Sequence, residues 1–229
     1  MNESGDLENN KLTVSQDEIK ATSNKNFVIK SEPDFLNNIE KISVKLGDIS
    51  TIKETIHTGN VREKLIVDKL IDKNCKKLLA GKDCHRYWFN WTGKYIRYDK
   101  NLIDKEKGDY ANLPEPKYFE NSKILLREIA LNIECCLDNE KYYTLNKVYS
   151  VQLQDDQKFD AYFILALLNS KLLSFYFRSK FGESHVQGGY LQFKKIYTSQ
   201  IPIRNIDFKD KGSKATHDGL AKTAKNLTE

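Results

Sequence analysis

The longest apolar run in this chain is Ala161-Tyr162-Phe163-Ile164-Leu165-Ala166-Leu167-Leu168, eight residues. A bilayer-spanning helix needs about 20, so the run, taken with Phe159 and Asp160 before it, reads as a buried helix over 159–168 of a soluble protein. Asn169 and Ser170 interrupt it, and a helical pattern resumes over 171–181 with Leu172, Leu173, Phe175, Tyr176 and Phe177. Upstream, 124–129, 133–137, 142–145 and 148–153 read as four strands, with Asp138-Asn139-Glu140 turning between the second and third. Strands in the middle with helices packed on them define an α+β fold whose central strands are mostly antiparallel. A chain of 229 residues is long enough for a core that buries roughly 70% of the unfolded surface.

The flanking segments are less regular. Residues 1–30 are polar and acidic and are expected to form a loosely ordered arm. Ser31-Glu32-Pro33-Asp34 looks like a helix start, with Ser31 as cap and Pro33 in the first turn. Phe35, Leu36, Ile39 and Ile42 follow at helical spacing. Leu46-Gly47-Asp48 is expected to end that helix and open a strand running over 52–56, and His57-Thr58-Gly59-Asn60 to turn. A strand is expected at 64–67. A helix over 68–79 would place Ile71, Cys75, Leu78 and Leu79 on one face, with Gly81 as its stop. Thr92-Gly93, between two aromatic runs, is a hairpin signal. Residues 100–119 hold Gly108, Pro114 and Pro116 and read as a long surface loop. Residues 182–189 form a polar, flexible loop, and Gln200-Ile201-Pro202-Ile203 an extended exit. The last 25 residues are polar, with Gly212 and Gly219, and are expected to fray. The organisation is an arm and helix over 1–44, a domain over 45–204 and a polar C-terminal tail over 205–229.

Charge narrows the choice of partner. The net formal charge is +5, yet the first forty residues hold four lysines against eight acids. The positive balance therefore sits downstream, in two stretches. Residues 75–100 carry Lys76, Lys77, Lys82, Arg86, Lys94, Arg97 and Lys100 against Asp83 and Asp99. Residues 170–204 carry Lys171, Arg178, Lys180, Lys194, Lys195 and Arg204 against Glu183. Such clusters suit a polyanion, because basic side chains release counterions from phosphates. The competing reading is a solvated face with a lysine excess.

Catalytic patterns are missing. Prolines stand at 33, 114, 116 and 202, so no Asn-Pro-Pro-aromatic loop can grip an adenine amino group. Neither a glycine-rich nucleotide turn nor a Gly-Lys-Ser/Thr phosphate loop occurs. The nuclease pattern of Pro-Asp followed by an acidic-x-Lys strand finds only Pro33-Asp34 and the proline-interrupted Glu115-Pro116-Lys117. Cys75, Cys84, His85, Cys135 and Cys136 lack ligand-knuckle spacing, and His57, His85, His185 and His217 mark out no triad. The cysteines read as buried, reduced thiols, with Cys135 and Cys136 on opposite faces of a strand. With a polar amino terminus that resembles no secretory signal, they point to the cytoplasm. The chain reads as a binder with no catalytic residues, no metal and no cofactor of its own.

A set of motifs in order then carries a resemblance. Leu78-Leu79-Ala80-Gly81-Lys82-Asp83-Cys84-His85-Arg86-Tyr87 precedes Trp91-Thr92-Gly93-Lys94-Tyr95-Ile96-Arg97-Tyr98-Asp99. Phe119-Glu120-Asn121-Ser122-Lys123-Ile124-Leu125-Leu126-Arg127-Glu128-Ile129-Ala130 comes next. Tyr142-Tyr143-Thr144-Leu145-Asn146 and Leu165-Ala166-Leu167-Leu168-Asn169-Ser170-Lys171-Leu172 follow. Together with Leu46-Gly47-Asp48-Ile49, His57-Thr58-Gly59-Asn60 and the Gln200–Ile203 exit, the order resembles the TaqI-like C-terminal specificity domain. That domain belongs to DNA adenine methyltransferases and type IIG restriction-modification enzymes. The resemblance covers residues 45–204. It implies a target-recognition-domain fold that reads double-stranded DNA, and a partner adenine methyltransferase domain or subunit. S-adenosylmethionine would bind in that catalytic domain, and this chain would be a portion of a longer enzyme. Lys147 stands where a serine often follows the Asn, and the segment after Arg86-Tyr87 is unusually aromatic; both leave the target sequence open.

Specific DNA binding needs contacts that position and contacts that specify. The phosphate-binding candidates are Lys82, Lys94, Arg97, Lys171, Lys180, Lys194 and Lys195. The base-reading candidates, expected in loops, are Asn90, Arg178, His185, Gln187 and Gln192, since Arg, Asn and Gln match base edges. Arg86 and Arg127, inside shared motifs, are assigned to the scaffold. Trp88, Trp91, Tyr95 and Tyr98 could stack on bases, or fill the core. The loop over 182–189 is expected to order on the duplex and to carry the sequence preference. Rival readings are a specificity subunit of a phage-defence complex that docks a partner methyltransferase, and an RNA binder.

Overall fold

The computed structural model describes residues 34–154, 159–182 and 187–229. Its main sheet runs β2 (Ser50–Glu54), β10 (Val148–Leu153), β6 (Lys123–Arg127), β8 (Cys135–Asp138), antiparallel throughout. Side chains alternate across it as the pleat requires. Ile124, Leu126, Cys135, Leu137, Tyr149 and Val151 enter the largest core, beneath helices α4 (Ala161–Leu168) and α5 (Lys171–Phe181). Leu125, Cys136 and Val148 face the other way, onto Leu79, Cys84 and Tyr142. The two adjacent cysteines thus divide between the two faces, and all four cysteines are buried free thiols.

A second sheet lies against that other face. It runs β3 (Ile66–Val67), β5 (Tyr95–Arg97), β4 (Cys75–Leu79), β9 (Tyr143–Thr144), with only the last pair parallel. Its own core gathers Ile56, Leu65, Leu78, Ile96, Phe119 and Tyr143. Two short ladders complete the strands: β1 (Ser43–Lys45) with β12 (Pro202–Arg204), and β7 (Ile129–Ala130) with β11 (Leu191–Gln192). The fold is therefore α+β with mostly antiparallel strands and packed helices, as the sequence implies.

Polar groups in the interior are matched. Lys123 and Asp138 stand opposite each other in the ladder, both fully buried, and form an ion pair. Lys123 Nζ also donates to the carbonyl of Phe119 (2.6 Å), while Asp138 accepts from the amides of Glu140 (2.8 Å) and Tyr142 (2.9 Å). Burial pushes the lysine down and the carboxyl up, and the mutual attraction of the pair opposes both shifts. Helix starts are capped as their residues suggest: Asp160 accepts from the amides of Tyr162 and Phe163, and Ser170 from that of Leu173.

Several expectations are corrected. Residues 68–79 hold no helix. Cys75–Leu79 is a strand, and Leu70 and Ile71 are exposed. The apolar spacing there fits either period, and pairing with β5 and β9 decides it. Leu46–Ile49 forms a one-turn helix, α2, so the strand that follows starts at Ser50 and ends at Glu54. Arg62–Leu65 is another short helix, α3, leaving only Ile66–Val67 extended. No hairpin forms about Thr92-Gly93: β5 pairs with β3 and β4, and the preceding aromatic run makes only a Cys84–Phe89 bridge. The segment over 100–119 is not all surface, because Leu113 and Phe119 are buried.

The C-terminal segment does not fray. Lys211–Thr228 is a helix, α7, capped by the Asp210 carboxylate on the amide of Ser213 and packed on α4. His217 and Ala224 are its buried residues, with the imidazole 4.5 Å from the Phe163 ring. At the other end of the chain, α1 (Asp34–Lys41) bears out the expected helix there, but it ends at Lys41 rather than at Leu46-Gly47-Asp48, because Ser43–Lys45 pairs as a strand with β12. The arm over 1–30 and the proposed cap Ser31 lie outside the described residues.

Candidate nucleic-acid interface

The candidate residues are positioned by one end of the main sheet. Register puts Arg127 opposite Val148, and Leu126 opposite Cys135. The turns that begin or end at those positions therefore cluster there. Lys147 adopts a left-handed conformation (φ 79°) just before β10. Its carbonyl accepts from Glu128 N (2.9 Å), and its ammonium lies 3.3 Å from Glu128 Oε1. That carboxylate also accepts from Gln192 Nε2 (2.7 Å), and the amide of Phe193 donates to Glu128 O (2.7 Å). Lys194 and Lys195 follow directly, both exposed. On the other side, a Cβ on Gly81 would come within 3.4 Å of the Lys147 carbonyl, which brings Lys82 to the same place.

The segment over 84–90 joins this end. Tyr87 N donates to Cys135 O (2.7 Å), with Tyr87 itself at φ 72°. Asn90 N donates to Asp83 O (2.8 Å), and Asp83 accepts from Ala80 N (2.8 Å), which ties the segment back to Lys82. Arg86 donates to the carbonyl of Asn169 (2.7 Å), and Arg127 to Glu134 (2.6 Å). Both arginines thus brace the scaffold, as their place in shared motifs implies. Lys171 starts α5 immediately after Asn169-Ser170 and is exposed.

Beside Lys82 opens a cleft of about 330 Å³, lined by Arg62, Glu63, Ile66, Leu78, Ala80, Lys82, Asp83, Thr92, Lys94 and Leu145. Three cations against two carboxylates give it a positive bias. Lys94 is already paired with Asp68 at the surface. Lys82, Lys171, Lys194 and Lys195 make no ion pair among the described residues, so their ammonium groups are available to a polyanion. Arg62 and Lys147 were not among the sequence candidates. Arg62 lies between the segments read as turn (57–60) and strand (64–67), and only register brings Lys147 beside Gln192.

Two phosphate candidates sit elsewhere. Arg97 is opposite Cys75 at the far end of β4 and holds Asp72 (3.0 Å). Lys180 lies nine residues along α5 from Lys171, about 13 Å at helical rise, and pairs with Glu40 (3.1 Å) to bind α1. Among the base-reading candidates, Asn90 is in an exposed loop. Arg178 is on helix α5 rather than in a loop, and its guanidinium donates to Leu131 O (2.7 Å). Gln192 is in strand β11 rather than in a loop. Gln187 belongs to a short 3₁₀ turn over Gln187–Gly189, but its side chain lies outside the described residues. His185 and the rest of the stretch over 183–186 lie outside them as well. Of the aromatic stripe, Trp91, Tyr95 and Tyr98 pack inward against neighbouring rings, whereas Trp88 is 51% exposed. Among the described residues no group of His, Cys, Asp and Glu is arranged to hold a metal. No described helix is long and apolar enough to cross a membrane.

Comparison with known proteins places this architecture. The TaqI-like C-terminal specificity domain matches residues 76–203, more than half of the chain. The chain belongs to that family. Among solved structures, the type IIG restriction endonuclease BpuSI aligns with a TM-score of 0.54 at 12% identity, over 84% of this chain and 27% of that one. A chain from the structural study of type I R-M system assembly and conformational transition gives 0.47 at 10% identity, over 80% and 38%. The HsdS subunit from Thermoanaerobacter tengcongensis gives 0.44 at 10% identity, over 84% and 43%. No curated protein matches. This chain therefore spans about a quarter of the BpuSI chain, and the likeness establishes the fold.

Proposed function

We propose that this chain is the DNA-reading part of an adenine-specific restriction-modification methyltransferase of the type IIG kind, and that it performs no chemistry itself. It holds double-stranded DNA in the cytoplasm while an attached methyltransferase domain or subunit, which binds S-adenosylmethionine, modifies the target. The observation that carries this reading is the placement, at one end of the main sheet, of lysines that make no ion pair among the described residues. Lys82, Lys171, Lys194 and Lys195 come from three separate stretches of sequence, and a merely solvated surface gives no reason for them to converge there. Family membership and the missing Asn-Pro-Pro loop support the division of labour. In this arrangement the lysines, with Arg62 and Lys94 at the cleft, neutralise phosphates and fix register. Asn90, bonded to Asp83 next to Lys82, and Gln192, two residues before Lys194, take the base edges.

The test is fluorescence anisotropy of a labelled random-sequence duplex titrated with the chain over a range of salt. Binding that weakens steeply with salt, and weakens further in Lys82→Glu and Lys194→Glu, is the expected result. Binding indifferent to both the salt and the charge reversals would refute the reading.

A further inference from the structure

We infer that Trp88 is a wedge that inserts against a base step of the bound duplex. The inference rests on the DNA-binding reading and adds to it an apolar contact that charge alone does not supply. Trp88 belongs to none of the three hydrophobic cores and keeps 51% of its surface in solvent. An indole has some 150–250 Å² to bury, so leaving it outside forfeits a large apolar contribution. The neighbouring rings are not left outside. Tyr87 packs against the main core, and Phe89 meets Tyr142 at 5.0 Å.

The segment holds the ring outward by design of its backbone. Tyr87 at φ 72° turns the chain, its amide is fixed to Cys135 O, and the amide of His85 donates to Trp88 O (2.9 Å). The His85 ring stacks under the indole at 4.1 Å and 22°, which sets its plane. Trp91 bonds Lys94 O through its indole N–H (2.8 Å), but Trp88 Nε1 has no hydrogen-bond partner among the described residues. A half-bare indole whose donor has no partner among the described residues therefore stands on the segment that carries Arg86, bonded to Asn169 O, and Asn90, bonded to Asp83 O next to Lys82. That combination matches a duplex: cations meet the phosphates while an aromatic edge enters between bases. Apolar wedges of this kind unstack a step and are repaid by wider contact.

The two tryptophans make the test direct. In Trp91→Phe the remaining emission comes from Trp88, and a short random-sequence duplex should quench it, while heparin, a polyanion without bases, should not. Trp88→Ala should weaken duplex binding by roughly tenfold, the scale of one base–aromatic stack, with the salt dependence unchanged. If Trp91→Phe fails to fold, the difference in emission between the parent and Trp88→Phe reports the same quenching. Duplex binding with undiminished Trp88 emission, or unaltered affinity in Trp88→Ala, overturns the wedge and leaves the DNA reading intact. Absence of any duplex binding by the parent chain overturns both.

Discussion

The carboxamide of Asn169 pairs with both backbone groups of Cys135: Oδ1 accepts from the amide at 3.0 Å and Nδ2 donates to the carbonyl at 2.9 Å. The side chain thus acts as one more peptide unit on the edge of the main sheet. It stands at the junction of α4 and α5 and couples the helical layer to the strands. Its own carbonyl holds Arg86.

Asn169→Ala would leave the buried Cys135 amide without a partner, while the carbonyl keeps its bond from Tyr87. An orphaned buried amide costs about 1–3 kcal/mol. Urea denaturation should show a loss of that size, and Asn169→Asp should not restore it, because a carboxylate would face the Cys135 carbonyl.

Gly59 sits at φ 51°, and a Cβ there would come within 1.9 Å of the Tyr110 carbonyl. The left-handed conformation costs an L-residue about 1–2 kcal/mol, and overpacking typically adds 1–3. Gly59→Ala should therefore be destabilised by about 2–5 kcal/mol in chemical denaturation. A change below about 0.5 kcal/mol, the scale of ordinary surface substitutions, would mean the loop over 108–112 docks less firmly than its bonds to Asn60 indicate.

The Asp109 carboxylate accepts from Lys64 and from the amide of Asp104, and these hold it below the ordinary carboxylate value of 3.8. A group with a depressed folded pKa contributes stability above its unfolded pKa, and that contribution fades as pH falls through the folded value. Asp109→Asn should lower the urea midpoint at neutral pH, and the gap to the parent should close in strong acid. A gap that persists unchanged at low pH would show the aspartate acting through packing rather than charge.

Each phosphate contact contributes about −0.9 to the slope of log affinity against log salt. With Lys82, Lys171, Lys194 and Lys195 engaged, and Arg62 and Lys94 at the cleft, the slope should be about −5, and neutralising Lys82 or Lys194 should reduce it by about one. Arg97→Met and Lys180→Met should leave it unaltered, since those cations hold Asp72 and Glu40. A shift of the slope in Arg97→Met would move the interface toward the far end of β4.

The sequence was most legible where side chains report their own surroundings. Alternation separates Cys135 from Cys136, and the break at Asn169-Ser170 falls between the two apolar helices that the structure shows. It was least legible where distant pairing decides. Cys75, Leu78 and Leu79 satisfy a helix and a strand alike, and only β5 and β9 choose between them. Helix α7 was hidden by its composition: its buried positions include a histidine and an alanine, and Gly212 and Gly219 argue against helix. Asp210, whose carboxylate caps the amide of Ser213, is the sequence signal that marks its start. The interface followed the same division. Lysine content is visible in the chain, but the pairing of Arg97 with Asp72 and of Lys180 with Glu40 is visible only in the structure.

The left-handed turns at Tyr87 and Lys147 have one more consequence. They fix the path of the main chain at this end of the sheet through backbone bonds to Cys135 and Glu128, independently of which groups project from neighbouring positions. If the chain reads DNA as proposed, the groups at 88 and 90 can then be exchanged like type in a fixed printing frame, while the phosphate-holding lysines stay. A lineage could acquire a new recognition sequence by ordinary point changes without remaking its architecture.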